Sequence, residues 1–242
     1  MIYRRPVLEV IGQKFMSSIW LMGISWILSG IIGFILGIIA GIKEGKLIDK
    51  IIRGYCYIIM STPTFWLGIL FIILFSVKLG WFPVALSVPI GVLSENVGFV
   101  ERMQHIILPA LTLSIISISS ICMNTRQKVI EIMESDYILF AKARGESQIS
   151  IIFNHVLKNV SLPAITLQFL SFSELFGGTI FVEQVFSYPG LGQATVSAGL
   201  KGDLPLLMGI AIISLVFVYS GNIIADLLYR VIDPRIKEGQ NL

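Results

Sequence analysis

Five stretches of the chain are almost free of charge over lengths that suit a membrane crossing. Residues 15–42 run for 28 positions without a charged side chain, 54–77 for 24, 106–125 for 20 and 204–225 for 22. The remaining stretch, 159–182, is interrupted only by Glu174. About 20 apolar residues in a helix cover roughly 30 Å of hydrocarbon. The pattern therefore predicts five helical spans near 16–42, 54–77, 106–125, 159–182 and 204–229, with residues 1–15 preceding the first and a polar tail at 230–242. Residues 79–94 are apolar too, but they contain Pro83, Pro89 and two glycines, which suits an interfacial loop better than a span. The first run is too long for the core of a cleavable signal peptide, which is roughly 7–15 residues.

The longest polar stretch, residues 126–158, has a pattern of its own. Val129, Ile132, Met133, Tyr137, Phe140 and Ala141 recur at helical spacing, with Arg126, Lys128, Glu131, Glu134, Ser135, Asp136 and Lys142 between them. The pattern stops at Gly145 and resumes with Ile149, Ile152, Phe153, Val156 and Val160. This predicts a helix, a glycine turn with a left-handed Gly145, and a second helix leading to Leu162-Pro163, where the next span starts. Periodicity alone fits an amphipathic element lying on the membrane, or a projecting helix that fills a groove on a cytosolic partner.

Composition narrows the class. Of 242 residues, 55% are hydrophobic and 14% charged, and the mean hydropathy is +0.85. Soluble domains carry about 25% charged residues, so this chain lacks the polar surface a water-soluble globule needs. A net charge of +3 argues against a nucleic-acid binder, and two cysteines argue against a disulfide scaffold. The expected fold class is all-α and polytopic, embedded in a lipid bilayer.

Loop charge orients the spans. With the 43–53 loop on the cytoplasmic side, alternation puts twelve Lys and Arg residues inside and six outside. The N-terminus is then extracytoplasmic and the C-terminus cytoplasmic. Arg4, Arg5 and Lys14 would have to cross against the same bias, which a preceding helix would explain.

Motifs spread along the chain resemble those of binding-protein-dependent ABC transporter permeases, the inner-membrane components of the dipeptide, oligopeptide and nickel branch. Asp136-Tyr137, Ala141, Ala143 and Gly145 match its D-Y-x-x-x-A-x-A-x-G loop, and Leu162-Pro163 follows at the longer spacing of that branch. At the E-A-A positions of the wider family stand Leu139, Phe140 and Ala141, so only the last agrees. Ser61-Thr62-Pro63-Thr64-Phe65-Trp66-Leu67-Gly68 and Gly80-Trp81-Phe82-Pro83 resemble two further family motifs. So do Gly177-Gly178 with Glu183, Phe186 and Pro189-Gly190-Leu191-Gly192, then Asp203-Leu204-Pro205, and Asn222, Asp226, Tyr229 and Asp233-Pro234-Arg235-Ile236.

The resemblance implies a permease subunit of an ATP-driven importer of peptides, nickel or a related small solute, in a bacterial or archaeal cell membrane. It implies six transmembrane helices, five of them present here with the first lacking, and a cytoplasmic coupling helix around Gly145. Partners would be a second homologous permease, two cytosolic ATPase subunits that carry ATP and Mg, and an extracytoplasmic solute-binding protein.

Other chemistry is sparse. Gly41-Ile42-Lys43-Glu44-Gly45-Lys46-Leu47 has one residue too few for a phosphate loop and Leu where Ser or Thr is needed. His105 and His155 have no neighbours at metal-ligand spacing, and Cys56 and Cys122 read as small packing residues. No catalytic residue, metal site or cofactor of its own is expected. Gly33, Gly37 and Gly41, four apart, allow close helix approach, either within the chain or against a second permease. Glu174, deep in a span, suggests a translocation pathway or a protonated, hydrogen-bonded side chain. Glu183 suggests a support for the external Pro189–Gly192 turn, and Asp226 a partner for Arg230 one helical turn on. An ion-driven secondary transporter and a membrane-embedded enzyme are the alternative classes; the second would show clustered ionisable residues inside the spans.

Overall fold

The computed structural model describes residues 2–84 and 98–232. Among these the chain is helical and has no strand: α1 (Val7–Ile42), α2 (Leu47–Met60), α3 (Thr64–Phe71), α4 (Phe99–Met133), α5 (Asp136–Ala143), α6 (Gln148–Ile151), α7 (Leu157–Val185), α8 (Leu191–Lys201) and α9 (Leu204–Ile232). Wider π turns prolong α3 over Ile72–Lys78 and join α6 to α7 over Ile152–Val156. Four helical stretches, Val7–Ile42, Phe99–Met133, Gln148–Val185 and Leu204–Ile224, are long and apolar enough to cross a membrane; the bent pair α2–α3 makes a fifth if it counts as one span.

Several boundaries differ from the expectation. Residues 7–15 belong to α1 rather than preceding it. The span expected at 54–77 is two helices broken at Ser61–Pro63. Proline has no amide to donate and disfavours helical backbone at the residue before it, so α2 ends and α3 restarts with Pro63 as its extended N-cap. Pro163 has no such effect: it lies inside α7, and the 148–185 stretch continues without a new start there. Inside lipid-buried helices, proline is tolerated where neighbouring groups satisfy the freed carbonyl. Residues 85–94 of the expected loop, the tail from residue 233, with its Asp233–Ile236 motif, and the Arg230 side chain lie outside the described residues.

The chain packs as two compact units. In the first (Met1–Ile27, Thr62–Ile116, Ser173–Ser220), Val10 and Ile11 of α1 bury against Leu191, Ala194 and Ala198 of α8 and Leu206 and Ile210 of α9. Phe217 sits edge-on to Phe15 at 5.3 Å and beside Phe176 at 5.5 Å. Helix α8 ends at Gly202 (φ +66°), where the Asp203 amide donates to Ala198 O at 2.9 Å and closes a Schellman turn. The Asp203 carboxylate accepts from the Ile2 amide at 2.7 Å. That bond, against the opposing effect of burial and with help from the Leu206 amide, holds the carboxyl below its ordinary range.

In the second unit (Leu28–Ser61, Ser117–Phe172, Gly221–Leu242), α1 lies against α4 of the same chain along Gly33, Gly37 and Gly41. A Cβ at Gly37 would lie 2.5 Å from Thr125 Cβ, and one at Gly41 2.5 Å from Val129 Cβ. The glycines thus set the interhelical distance within one chain. The opposite stripe of α1, Ile27, Ile31, Ile35 and Ile39, is exposed. Such a row is unfavourable in water and suits hydrocarbon.

Candidate functional site

The segment that joins α4 to α7 folds as a short, capped helical hairpin. Its first helix, α5, begins after an extended Ser135, with Asp136 in the first turn. It ends in another Schellman turn: Gly145 N donates to Lys142 O at 3.0 Å and Glu146 N to Ala141 O at 3.2 Å. Gly145 has φ +81° and open space around its Cα, so conformation, not crowding, demands glycine there. Ser147 then caps α6 by accepting from Ser150 N.

Beneath the hairpin, Ile138 and Ala141 of α5 and Ile151 of α6 bury against Val129, Val156 and Val160, flanked by Phe34, Ile38 and Ile42 of α1. The buried face matches the one read from periodicity only in part: Val129, Ala141, Val156 and Val160 are buried, with Ile132 and Met133 packed beside them. Ile138 and Ile151 point inward. Tyr137, Phe140, Ile149 and Phe153, which the pattern counted as the apolar stripe, point out. Leu139, Phe140, Ile149 and Phe153 are 65–71% exposed. Lys142, Arg144 and Lys158 of the same segment are exposed as well, while His155 Nε2 pairs with Glu146 Oε2 at 3.1 Å. Two short helices offer more apolar side chains than their own core can take.

The expected loop residues are distributed unevenly over this hairpin. Ala141 is buried, whereas Asp136, Tyr137, Ala143 and Gly145 are exposed. Tyr137 stands beside the His155 ring, 6.4 Å between centroids, and its hydroxyl accepts from Asn159 Nδ2 at 3.5 Å. Leu162 and Pro163 lie in α7; Pro163 also lines a cavity of about 500 Å³ with Asn124, Lys128, Thr166, Leu170 and Asp226.

A second cluster forms in the first unit around Glu183, which is fully buried. Its Oε1 accepts from Ser18 Oγ at 2.5 Å, and its Oε2 from the Gly192 and Gln193 amides at 2.7 and 3.2 Å. Ser18 Oγ in turn accepts from the Leu191 amide at 2.8 Å. The first three amides of α8, which have no helical partner, are thus all bound by two side chains. Gly190 is required because a Cβ there would lie 2.1 Å from Glu183 Oε1, and Gly192 because one would lie 2.5 Å from Ile180 Cα. Pro189 completes the turn between α7 and α8. Glu174, nine residues earlier, is exposed on α7.

Some residues escaped the sequence reading. Asp49 and Arg126, buried in the second unit, form a two-pronged ion pair: Arg126 Nε to Asp49 Oδ1 at 2.6 Å and Nη2 to Oδ2 at 3.0 Å. A separation of 77 residues left nothing local to announce it. Cys56 and Cys122, expected as small packing residues, are fully buried. Among the described residues, no group of three or more His, Cys, Asp or Glu could hold a metal ion.

This architecture has close relatives. Residues 33–238 match the family model described as binding-protein-dependent transport system inner membrane component. The chain is 35% identical to the oligopeptide transport system permease protein AppB of Bacillus subtilis over 232 residues, covering 96% of this chain and 72% of that one. It is 35% identical to the glutathione transport system permease protein GsiC of Escherichia coli K12 over 238 residues, covering 98% and 73%. Among solved structures, the inward-facing MetNI methionine ABC transporter shares the fold at a TM-score of 0.73 and 16% identity, over 95% of this chain and 99% of that one. An amino acid ABC transporter follows at 0.68 and 14%, over 92% and 94%. The chain belongs to the family of binding-protein-dependent transport system inner membrane components, the permeases of ABC transporters.

Proposed function

We propose that the chain moves peptides, or a related small solute such as nickel, inward by alternating access, and that the α5–α6 hairpin receives the driving motion from ATPase subunits. The observation that carries this reading is the exposure of four large apolar side chains, Leu139, Phe140, Ile149 and Phe153, on a hairpin that packs on its own core between two spans. A cluster of this kind binds a complementary groove once water is excluded from its centre. The excess of Lys and Arg in the same loops supports a cytoplasmic position. ATP and Mg would be held by the partners, since the 41–47 turn lacks the Ser or Thr that a phosphate loop needs for magnesium. A second permease would complete the route, and an extracytoplasmic binding protein would deliver the solute; the names of AppB and GsiC support peptides. Closure of the ATPase pair would move α5–α6 and, through it, the spans.

The test is co-expression with an ATPase subunit and its recovery in detergent. Leu139→Asp with Phe140→Asp should abolish co-purification and ATP-driven uptake while leaving membrane insertion unchanged. Full retention of the ATPase by that variant would overturn the reading and favour the ion-driven class, and uptake that follows an ion gradient without ATP would establish it.

A further inference from the structure

Asp49 lies in the first turn of α2 and is fully buried. Both its oxygens are engaged. Besides the fork with Arg126, Oδ2 accepts from the Gly45 amide at 2.9 Å, and Oδ1 has Arg53 Nε at 3.4 Å. Glu44 Oε1 lies 3.9 Å from Arg126 Nη2. Two ions taken out of water recover little net stability, because desolvation offsets their attraction. What a forked pair adds is direction: it fixes both the rotation and the axial register of the two helices that carry it.

Arg126 is on α4, one helical turn before Val129. Val129 belongs to the core on which Ile138, Ala141 and Ile151 of the hairpin sit. The α1–α4 contact beside it is made by Gly33, Gly37 and Gly41 against side chains and backbone carbonyls of α4. The Asp49–Arg126 fork cannot slide without exposing a buried charge.

We propose that Asp49 and Arg126 are positioning residues that force α2 to follow the α5–α6 hairpin, so that movement at the hairpin reaches α2 through α4. The proposal rests on the reading of that hairpin as the ATPase contact, but its structural half can be tested without transport. Lys50 on α2 and Lys142 on α5 are exposed, whereas Cys56 and Cys122 are buried and escape labelling. Nitroxide labels at Lys50→Cys and Lys142→Cys should give one narrow distance by pulsed electron resonance. Asp49→Asn and Arg126→Lys should each broaden it. In vesicles with the ATPases, the single variants should keep hydrolysis but transport about tenfold less solute per ATP. Arg126→Lys keeps the charge and loses the fork, which separates positioning from simple loss of fold. Unchanged distances in the folded single variants would overturn the proposal whatever transport does. Absence of ATP-driven uptake by the unaltered assembly would count instead against the function proposed above, while broadening of the distance would still uphold the link between helices.

Discussion

Glu183 illustrates how much one side chain can organise. It and Ser18 bind the three leading amides of α8, and Gly190 leaves the space that the carboxylate occupies. Removing the carboxylate strands the Gly192 and Gln193 amides and the Ser18 hydroxyl, each buried unsatisfied donor costing roughly 1–3 kcal/mol. Glu183→Ala should therefore lower the unfolding temperature in detergent markedly, and Gly190→Ala should do the same by a different route, displacing an intact carboxylate. Equal stability of Gly190→Ala and the unaltered protein would show that the turn has room to give. Asp203 makes a prediction about pH. Its folded carboxyl titrates below the unfolded one, so the stability it contributes is complete above about pH 4 and is lost as pH falls through the folded value. Asp203→Asn should reduce that acid-side loss, measured as unfolding temperature against pH.

At the scale of elements, α5 depends on Gly145 for its stop. A left-handed backbone costs an L-residue about 1–2 kcal/mol, least for Asn, while the position itself is open. Gly145→Asn should keep hairpin and transport, Gly145→Val should weaken both, and Gly145→Trp should leave membrane insertion intact while uncoupling ATP hydrolysis from uptake. Uptake by the Trp variant equal to that of the unaltered chain would mean that the hairpin's shape is not what couples. Periodicity identified the hairpin but assigned its faces wrongly at Tyr137 and Phe140. A helix of eight residues makes barely two turns, so several apolar stripes fit the same letters. Ile138 and Ile151 were decided by the core built from Val129, Val156 and Val160.

On the scale of the whole molecule, the exposed surface of the spans is apolar nearly everywhere, as on α9 at Met208, Ile212, Leu215 and Tyr219. Against that background an exposed Glu174 is out of place in lipid and suits a water-filled route or a second permease. Glu174→Gln should alter uptake rate or selectivity in reconstituted vesicles; unchanged uptake would remove it from the pathway. The chain's class and the membrane-crossing character of its long helices were determined by sequence alone, because lipid demands long uncharged runs and nothing else supplies them. Motifs did the same for the family and for Gly145 and Glu183, whose roles are set by a turn close by in the chain. Only the tertiary structure decided that Gly33, Gly37 and Gly41 face α4, that Asp49 meets Arg126, and that Phe140 is left outside. Each depends on which surfaces meet across long separations in the chain, and burial of a charge or an aromatic ring is settled by those surfaces and not by its neighbours in sequence.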